Sequence, residues 1–448
     1  MLTREQALTR ATDLVARAVK AGADAADTVY AANAATGVEM RLGALEGVER
    51  SESQEIGLRV FVGKGSATAS SSDLSDDALA QLVERTVAMA RLAPEDKFAG
   101  LAPDELISHG PFRDLDIDDG GEAGPEILRA AALEAEDAAR AVQGITNSEG
   151  ASASAGRSMM ALATSAGFSG YSSGSSHGVS ASVLAGEGST MQRDYASHSV
   201  RHRSDLDSPA LVGLKAGNRA IDRLNPIRLK SGPMTVVYDP RVGASLLGHL
   251  IGAITGSGIA RKTSFLLDAL GTAIFDSGIT ICDDPWLVRG LRSRAFDGEG
   301  LATKPSKLID KGVLTAWIAE SSSARQIGIA PTGHASRGIS GAPGAGPSNV
   351  HMEAGTVTPE ALMADIRDGF YVTELIGMGV NGLTGDYSRG ASGFRIVNGE
   401  IAGAVSEVTI AGNLKDMFRV LTPANDLEFR HATNVPTIRV DGMTLAGE

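Results

Sequence analysis

Imidazoles, thiols and hydroxyls that could bind a metal or attack a substrate are few in this chain. His198 and His202 stand four apart, with Asp194 four before the first, a spacing that on a helix would turn ligands to one side. The segment around them reads as a strand, however, and no glutamate adjoins either imidazole to act as base. His249 lies in a helical pattern, but one turn further on stand Gly252 and Ala253, which cannot ligate. Gly170 to Gly174 reads G-Y-S-S-G, a loose nucleophile elbow offering Ser172 or Ser173, yet nothing places a histidine and an acid beside them. An independent hydrolase using either serine is the weaker rival reading. Cys282, followed by Asp283 and Asp284 at the end of an apolar strand, has surroundings that raise its pKa and make it inert packing. Gly341 to Gly346 is glycine-rich but lacks the Lys-Ser/Thr pair of a phosphate loop, so it reads as a mobile or ligand-covering loop. In Thr384 to Gly390, Asp386, Tyr387 and Arg389 sit between glycines, and two readings stay open: a grip on a peptide backbone or carboxylate, or a hydrogen-bonded turn.

The composition limits what such residues could serve. At 448 residues the chain exceeds what one core usually supports. A net charge of −13 with no dense basic block argues against direct nucleic-acid binding. The one cysteine excludes an internal disulfide framework. The N-terminus reads as an amphipathic helix carrying Glu5 and Asp13 and not as a signal peptide, and no apolar run is long enough to span a bilayer, so no membrane partner and a cytoplasmic location are expected.

The elements that must hold these residues divide into an N-terminal α+β subdomain (1–94), a middle subdomain with Ser/Gly/Ala-rich strands (95–229) and a strand-rich C-terminal domain (230–448). Thr3 and Gln6 have capping-box spacing ahead of a helix that ends near Gly22. Short alternating segments (Thr28 to Ala32, Gly37 to Leu42, Gly57 to Val62, Ser66 to Ser70) read as an antiparallel meander, and helices follow at Ser75 to Leu92, Glu126 to Val142 and Ser208 to Leu224. Beyond residue 230 come a strand at Met234 to Tyr238 and a helix at Arg241 to Thr255. Further strands are expected at Gly278 to Cys282, Val313 to Ile318, Gly393 to Val397 and Glu400 to Val405, with a helix at Pro359 to Asp368. Without regular β-α alternation the class is α+β: helices packed on antiparallel strands in the N-terminal part, and a strand-rich mixed α+β domain in the C-terminal part. Gly248, Gly252 and Gly256 form a row that would let another backbone approach closely.

Several runs carry a family resemblance: G-L-T-G-D-Y-S-R-G-A-S-G (Gly382 to Gly393), V-S-E-V-T-I-A-G-N-L-K-D-M (Val405 to Met417), S-A-R-Q-I-G (Ser323 to Gly328), T-G-H-A (Thr332 to Ala335) and S-F-L-L-D-A-L-G (Ser264 to Gly271). Together they resemble the TldD/PmbA family, and within it the PmbA, or TldE, branch. The resemblance implies a two-subunit metalloprotease complex acting on peptides, in which a TldD-type subunit carries zinc on a helix of pattern H-E-x-x-x-H plus a C-terminal cysteine. It also implies an association with leader-peptide removal and antitoxin degradation, and an older link to DNA gyrase that the charge of this chain makes indirect. On that pattern the two histidine positions are Gly248 and Ala253, the glutamate position is His249, and Asp426 to Pro436 holds no cysteine. The expectation is a subunit without catalytic residues, metal ligands or cofactor of its own, whose partner is a zinc-bearing TldD-like subunit. Its peptide-contact candidates are His249, Asn349, His351, Asp386 and Arg389. The alternative is a homodimeric peptide-binding or modulator protein without proteolytic activity.

Overall fold

The computed structural model describes residues 1–448. Its first part is one antiparallel sheet. Strands β1 (Ala25–Arg41), β2 (Ala44–Val62), β3 (Gly65–Ser71), β4 (Ile145–Thr164), β5 (Ser169–Ala185) and β6 (Gln192–Val200) lie in the order β3-β2-β1-β4-β5-β6. Side chains alternate across it, as the two-residue period requires. Tyr30, Ala32, Val38 and Met40 of β1 face helices α1 (Arg4–Lys20), α2 (Asp76–Leu92) and α3 (Pro125–Arg140), while Val29 packs on the opposite side with Phe296 and Leu301 of the C-terminal part. Helix α4 (Pro209–Asp222) packs beside α3 over β5 and β6. Close packing of small residues replaces aromatic bulk there: a methyl on Gly213 of α4 would sit 2.0 Å from the Ala135 carbonyl oxygen.

The C-terminal part begins with β7 (Gly232–Tyr238), α5 (Pro240–Ala253) and α6 (Gly256–Ala260), followed by β8 (Ile281–Asp284), β9 (Ser306–Asp310), β10 (Val313–Leu314), α7 (Ser321–Ile327), β11 (Ala335–Ser336), β12 (Gly344–Ala345) and β13 (Asn349–Met352). It ends with α8 (Pro359–Met363), β14 (Asp368–Ile376), β15 (Asp386–Val397), β16 (Glu400–Asn413), α9 (Leu414–Val420), β17 (Leu421–Pro423), β18 (Thr433–Asn434) and β19 (Ile438–Ala446). The larger sheet runs β16-β15-β14-β7-β19-β17, and an added β16–β19 pairing curls it back on itself, which removes an exposed edge. A second sheet runs β10-β9-β8-β13-β18, and the largest core lies among these sheets and α5.

The two parts meet through buried charge. Asp27 of β1 and Arg59 of β2 are cross-strand partners, and the Asp27 carboxylate accepts from Arg59 Nε at 2.9 Å and pairs with Arg337, which follows β11. Glu299 lies 4.0 Å from Arg59 and accepts from the Ser321 backbone at 2.8 Å. Burial alone would raise the Asp27 carboxyl, but the two guanidiniums outweigh it and hold it below the ordinary aspartate value. Beside this network a backbone closes in: a methyl on Gly57 of β2 would lie 1.9 Å from the Ile339 carbonyl oxygen.

The structure bears out the α+β class and corrects several boundaries. β1 is unbroken across the gap read between Ala32 and Gly37, because its small residues pair on both sides: Gly37 stands opposite Glu49 and Ser154. Pairing of β1 with both β2 and β4 also puts residues 1–94 and 95–229 into one shared sheet. The helix expected to Asp368 stops at Met363, and Asp368 opens β14, a central strand missed in the sequence, as was β19. Only Val313–Leu314 of the segment to Ile318 pairs as strand. Gly338 to Pro347 is anchored through Ile339 and the β11–β12 ladder.

Two glycines test this packing. Gly57→Ala should lower stability by about 1–3 kcal/mol through forced displacement of the Ile339 backbone, whereas Gly37→Ala, where a methyl meets nothing within 4 Å, should be neutral or add up to about 1 kcal/mol. Paired urea titrations read the contrast, and equal midpoints would remove the close-approach account. Arg337→Met should cost about 3–5 kcal/mol, the usual penalty for removing one partner of a buried ion pair, with protease cleavage appearing first in 338–347; unchanged cleavage and midpoint would contradict it.

Candidate functional site

Helix α5 starts where Asp239 accepts from the Arg241 backbone at 2.9 Å and Pro240 pre-sets the first turn. Its Leu246, Leu247 and Leu250 are buried in the main core. Gly248 and Gly252 face outward, and a methyl on either meets nothing, so the close approach along this row occurs within the chain at Gly256 alone, where a methyl would sit 2.6 Å from Ser323 Oγ. His249 turns inward, its ring 6.0 Å from that of Tyr387 at an edge-on angle. Burial, with the positive charge of Arg389 adding to it, lowers the His249 pKa and favours the neutral imidazole. Its Nε2 and the Tyr387 hydroxyl are both buried without a hydrogen-bond partner. Zinc does not fit this arrangement: one imidazole is present, a guanidinium already bears on it, and nowhere in the chain do three or more His, Cys, Asp or Glu side chains converge as a ligand set.

Of the sequence-derived candidates, the structure brings His249 and Arg389 together and separates the rest. Asn349 lies on β13. It is buried, its Nδ2 donates to the Asp284 carbonyl and to Ser293 Oγ, each at 2.8 Å, and its Oδ1 accepts from the Arg292 backbone, leaving no group free for a peptide. His351 lies opposite Cys282 and packs against Phe429 at 5.0 Å; burial lowers its pKa. Asp386 accepts from Thr384 Oγ1 at 2.6 Å and Asn413 Nδ2 at 3.1 Å, so its part of the glycine-flanked segment is a hydrogen-bonded turn. Arg389 is half-buried, with one long contact to the Ile376 carbonyl at 3.4 Å.

The remaining motifs resolve into structure. Asp194 binds Arg241 through paired contacts at 2.8 and 3.1 Å, tying β6 to the start of α5, while His198 Nδ1 accepts from the Asp207 backbone and His202 contacts the Asp116 carbonyl. No imidazole bonds to Ser172 or Ser173. Burial, then Glu353, raises the Cys282 thiol. Ser172 and Ser173 instead line a cleft of about 870 Å³ where β5 faces the C-terminal part, along with Arg4, Arg113, Arg294 and Arg337. Those arginines come from separate segments, so no local pattern in the sequence could have grouped them.

Family models match nearly the whole chain in three pieces: PmbA/TldA metallopeptidase domain 1 at residues 26–90, the central domain at 117–224 and the C-terminal domain at 231–447. The chain is 38% identical to Metalloprotease PmbA of Escherichia coli O157:H7, covering 95% of this chain and 93% of that one. It is 34% identical to a Metalloprotease PmbA homolog of Haemophilus influenzae, covering 99% and 97%. Among solved structures, a proposed modulator of DNA gyrase from Bacteroides thetaiotaomicron VPI-5482 superposes over 100% of both chains with a TM-score of 0.92 at 28% identity. TldE from Thermococcus kodakarensis gives 0.87 at 21% identity over 97% and 99%, a likeness of fold. These matches carry the resemblance read from the motifs: the chain belongs to the PmbA/TldD metallopeptidase family, on its PmbA (TldE) branch.

Proposed function

We propose that this chain is the zinc-free, TldE-type subunit of a two-subunit TldD/TldE metalloprotease, working in the cytoplasm to shape the space in which an extended peptide meets the metal of a TldD-like partner. The observation that carries this reading is the donor set of α5. Where the family's zinc helix requires imidazoles there are Gly248 and Ala253, and at the glutamate position stands His249, held beside Tyr387 and Arg389. Water activation at a metal needs a Lewis acid as well as a proton acceptor, and α5 carries no set of ligands to hold the first. What the helix retains is its buried face, which serves the core.

The test is to assay the purified chain alone and mixed with a TldD-like subunit, measuring peptide cleavage and zinc content. Chelator-sensitive cleavage and zinc are expected only with the partner. Robust chelator-sensitive cleavage by the lone chain, or one zinc per lone chain, would overturn the reading.

The state of His249 gives a second test. Its pKa lies below the ordinary value, as do those of His198, His351 and His431, each lowered first by burial. The unfolded chain therefore binds more protons than the folded one just below about pH 6.5, and stability should fall as the pH drops through that window. His249→Gln should flatten part of the slope, and an NMR titration placing the His249 pKa at or above about 6.5 would contradict the environment described.

A further inference from the structure

The cleft lined by β5 on one side and residues 294–298 and 335–337 on the other has carboxylates that are already engaged and two cations, Arg4 and Arg113, that are not. Asp116 pairs with Arg289 at 2.6 Å, Asp118 pairs with Arg157 at 2.8 Å, and Asp114 accepts from the Asp116 backbone at 2.9 Å. Asp297 accepts three backbone N–H groups, from Glu299, Leu301 and Ala335, at 2.9, 2.9 and 3.0 Å. Arg4 and Arg113, by contrast, make no ion pair and no hydrogen bond. Each lies over an aromatic ring, Arg4 at 5.7 Å from the Tyr171 centroid and Arg113 at 4.4 Å from that of Trp286, which fixes the guanidinium while leaving its N–H edge free.

Deeper in the wall, Arg294 donates to the carbonyls of Ala335 and Gly346 at 3.1 and 2.7 Å and the buried Arg337 side chain pairs with Asp27, so these two serve the wall itself, with Arg294 Nε and Arg337 Nε and Nη2 left without a partner. The apolar part of the lining is Phe112 and Phe296, whose rings pack 4.8 Å apart. In a chain of net charge −13, two guanidiniums without a carboxylate partner at the rim of a large cleft are the reverse of the overall balance. The volume is that of a site for several residues of an extended chain.

We propose that this cleft binds an acidic stretch of extended peptide, with carboxylates meeting Arg4 and Arg113 and the intervening side chains lying on Phe112 and Phe296. Hydroxyls of Ser172 and Ser173 face the same space and supply neutral partners for peptide groups. The site rests on the peptide-handling role proposed above and adds to it a substrate class. A guanidinium suits it better than an ammonium would, since its planar fork matches a carboxylate edge to edge.

The experiment measures fluorescence anisotropy of a fluorescein-labelled six-residue peptide carrying glutamates at alternate positions, against its glutamine counterpart, on the full-length chain without partner. Preference for the glutamate probe by roughly tenfold at low salt, shrinking as salt is added, is expected. The double variant Arg4→Gln/Arg113→Gln should abolish the preference, while Arg129→Gln on the exposed face of α3 should leave it intact. Both cleft arginines are exposed, so folding of the double variant is preserved, and circular dichroism checks it. Equal affinity for the two probes, or an unaltered preference in the double variant, overturns the proposal, as does displacement of the probe by a single-stranded oligonucleotide at lower concentration than by unlabelled peptide. Stimulation of a TldD-like partner is read separately: stimulation without probe preference sinks the cleft assignment alone, whereas probe preference without stimulation upholds the cleft and sinks the subunit role.

Discussion

A carboxylate buried to 1% exposure, Asp27, sets the terms on which the two parts of this molecule can meet. A charge out of water must be paired and hydrogen-bonded or it neutralises. Arg59 comes from the adjacent strand and is in place as soon as the N-terminal sheet forms. Arg337 comes from the other part and arrives only when β11 and the following loop dock on that sheet. Such clusters are weak sources of net stability, because desolvation consumes most of the Coulomb gain. Their effect is on arrangement: a docking that slid the loop by one residue would leave Asp27 short of a cation and drive the Ile339 carbonyl away from the one position, Gly57, that has room for it.

Other contacts around the joint follow once that arrangement is fixed. Asp297 receives the Ala335 backbone at 3.0 Å, and Asp283 receives the Ser348 backbone at 2.9 Å and His334 Nε2 at 2.9 Å, so the segment from Thr332 to Ser348 is stitched down at both ends. Arg325 reaches back to the carbonyls of Phe98 and Leu101 in the connection between α2 and α3. Across the large cleft, the Leu115 and Ile117 carbonyls accept from the backbones of Arg289 and Ser175, each at 2.9 Å, so the rim is fastened backbone on both sides. Its geometry is set before any ligand arrives, which is the condition for binding without a large ordering cost.

Local periodicity made the helices and the class of the fold legible in the sequence. Thr3 with Gln6 forms the capping box that the spacing promises, and Ser75, Ser208 and Asp239 cap the helices that follow them. Strand lengths were less legible, because β1 is rich in Ala and β4 is built largely from Ala, Ser and Gly, whose side chains give little alternation to read; pairing with two neighbours at once makes them strands. The site divides in the same way. The sequence Gly248, His249 and Ala253 on α5 could be read from one helix. The burial of Asn349 could not, since its partners Asp284 and Ser293 lie on distant segments, and neither could the cleft, whose arginines span from Arg4 to Arg337.

The same division explains how a helix can keep its place whatever residues its outer face carries. Leu246, Leu247 and Leu250 are fixed by the volume of the core, where losing even a few methylenes costs about 2–5 kcal/mol. Gly248 and Gly252 carry no such constraint, since nothing lies within 4 Å of where their side chains would be. His249 sits between these cases. Its ring fills space against Tyr387, and the neighbouring Arg389 disfavours both a second positive charge on the imidazole and a dication beside it. The packing role of α5 and any chemical role on its face are therefore set by different residues.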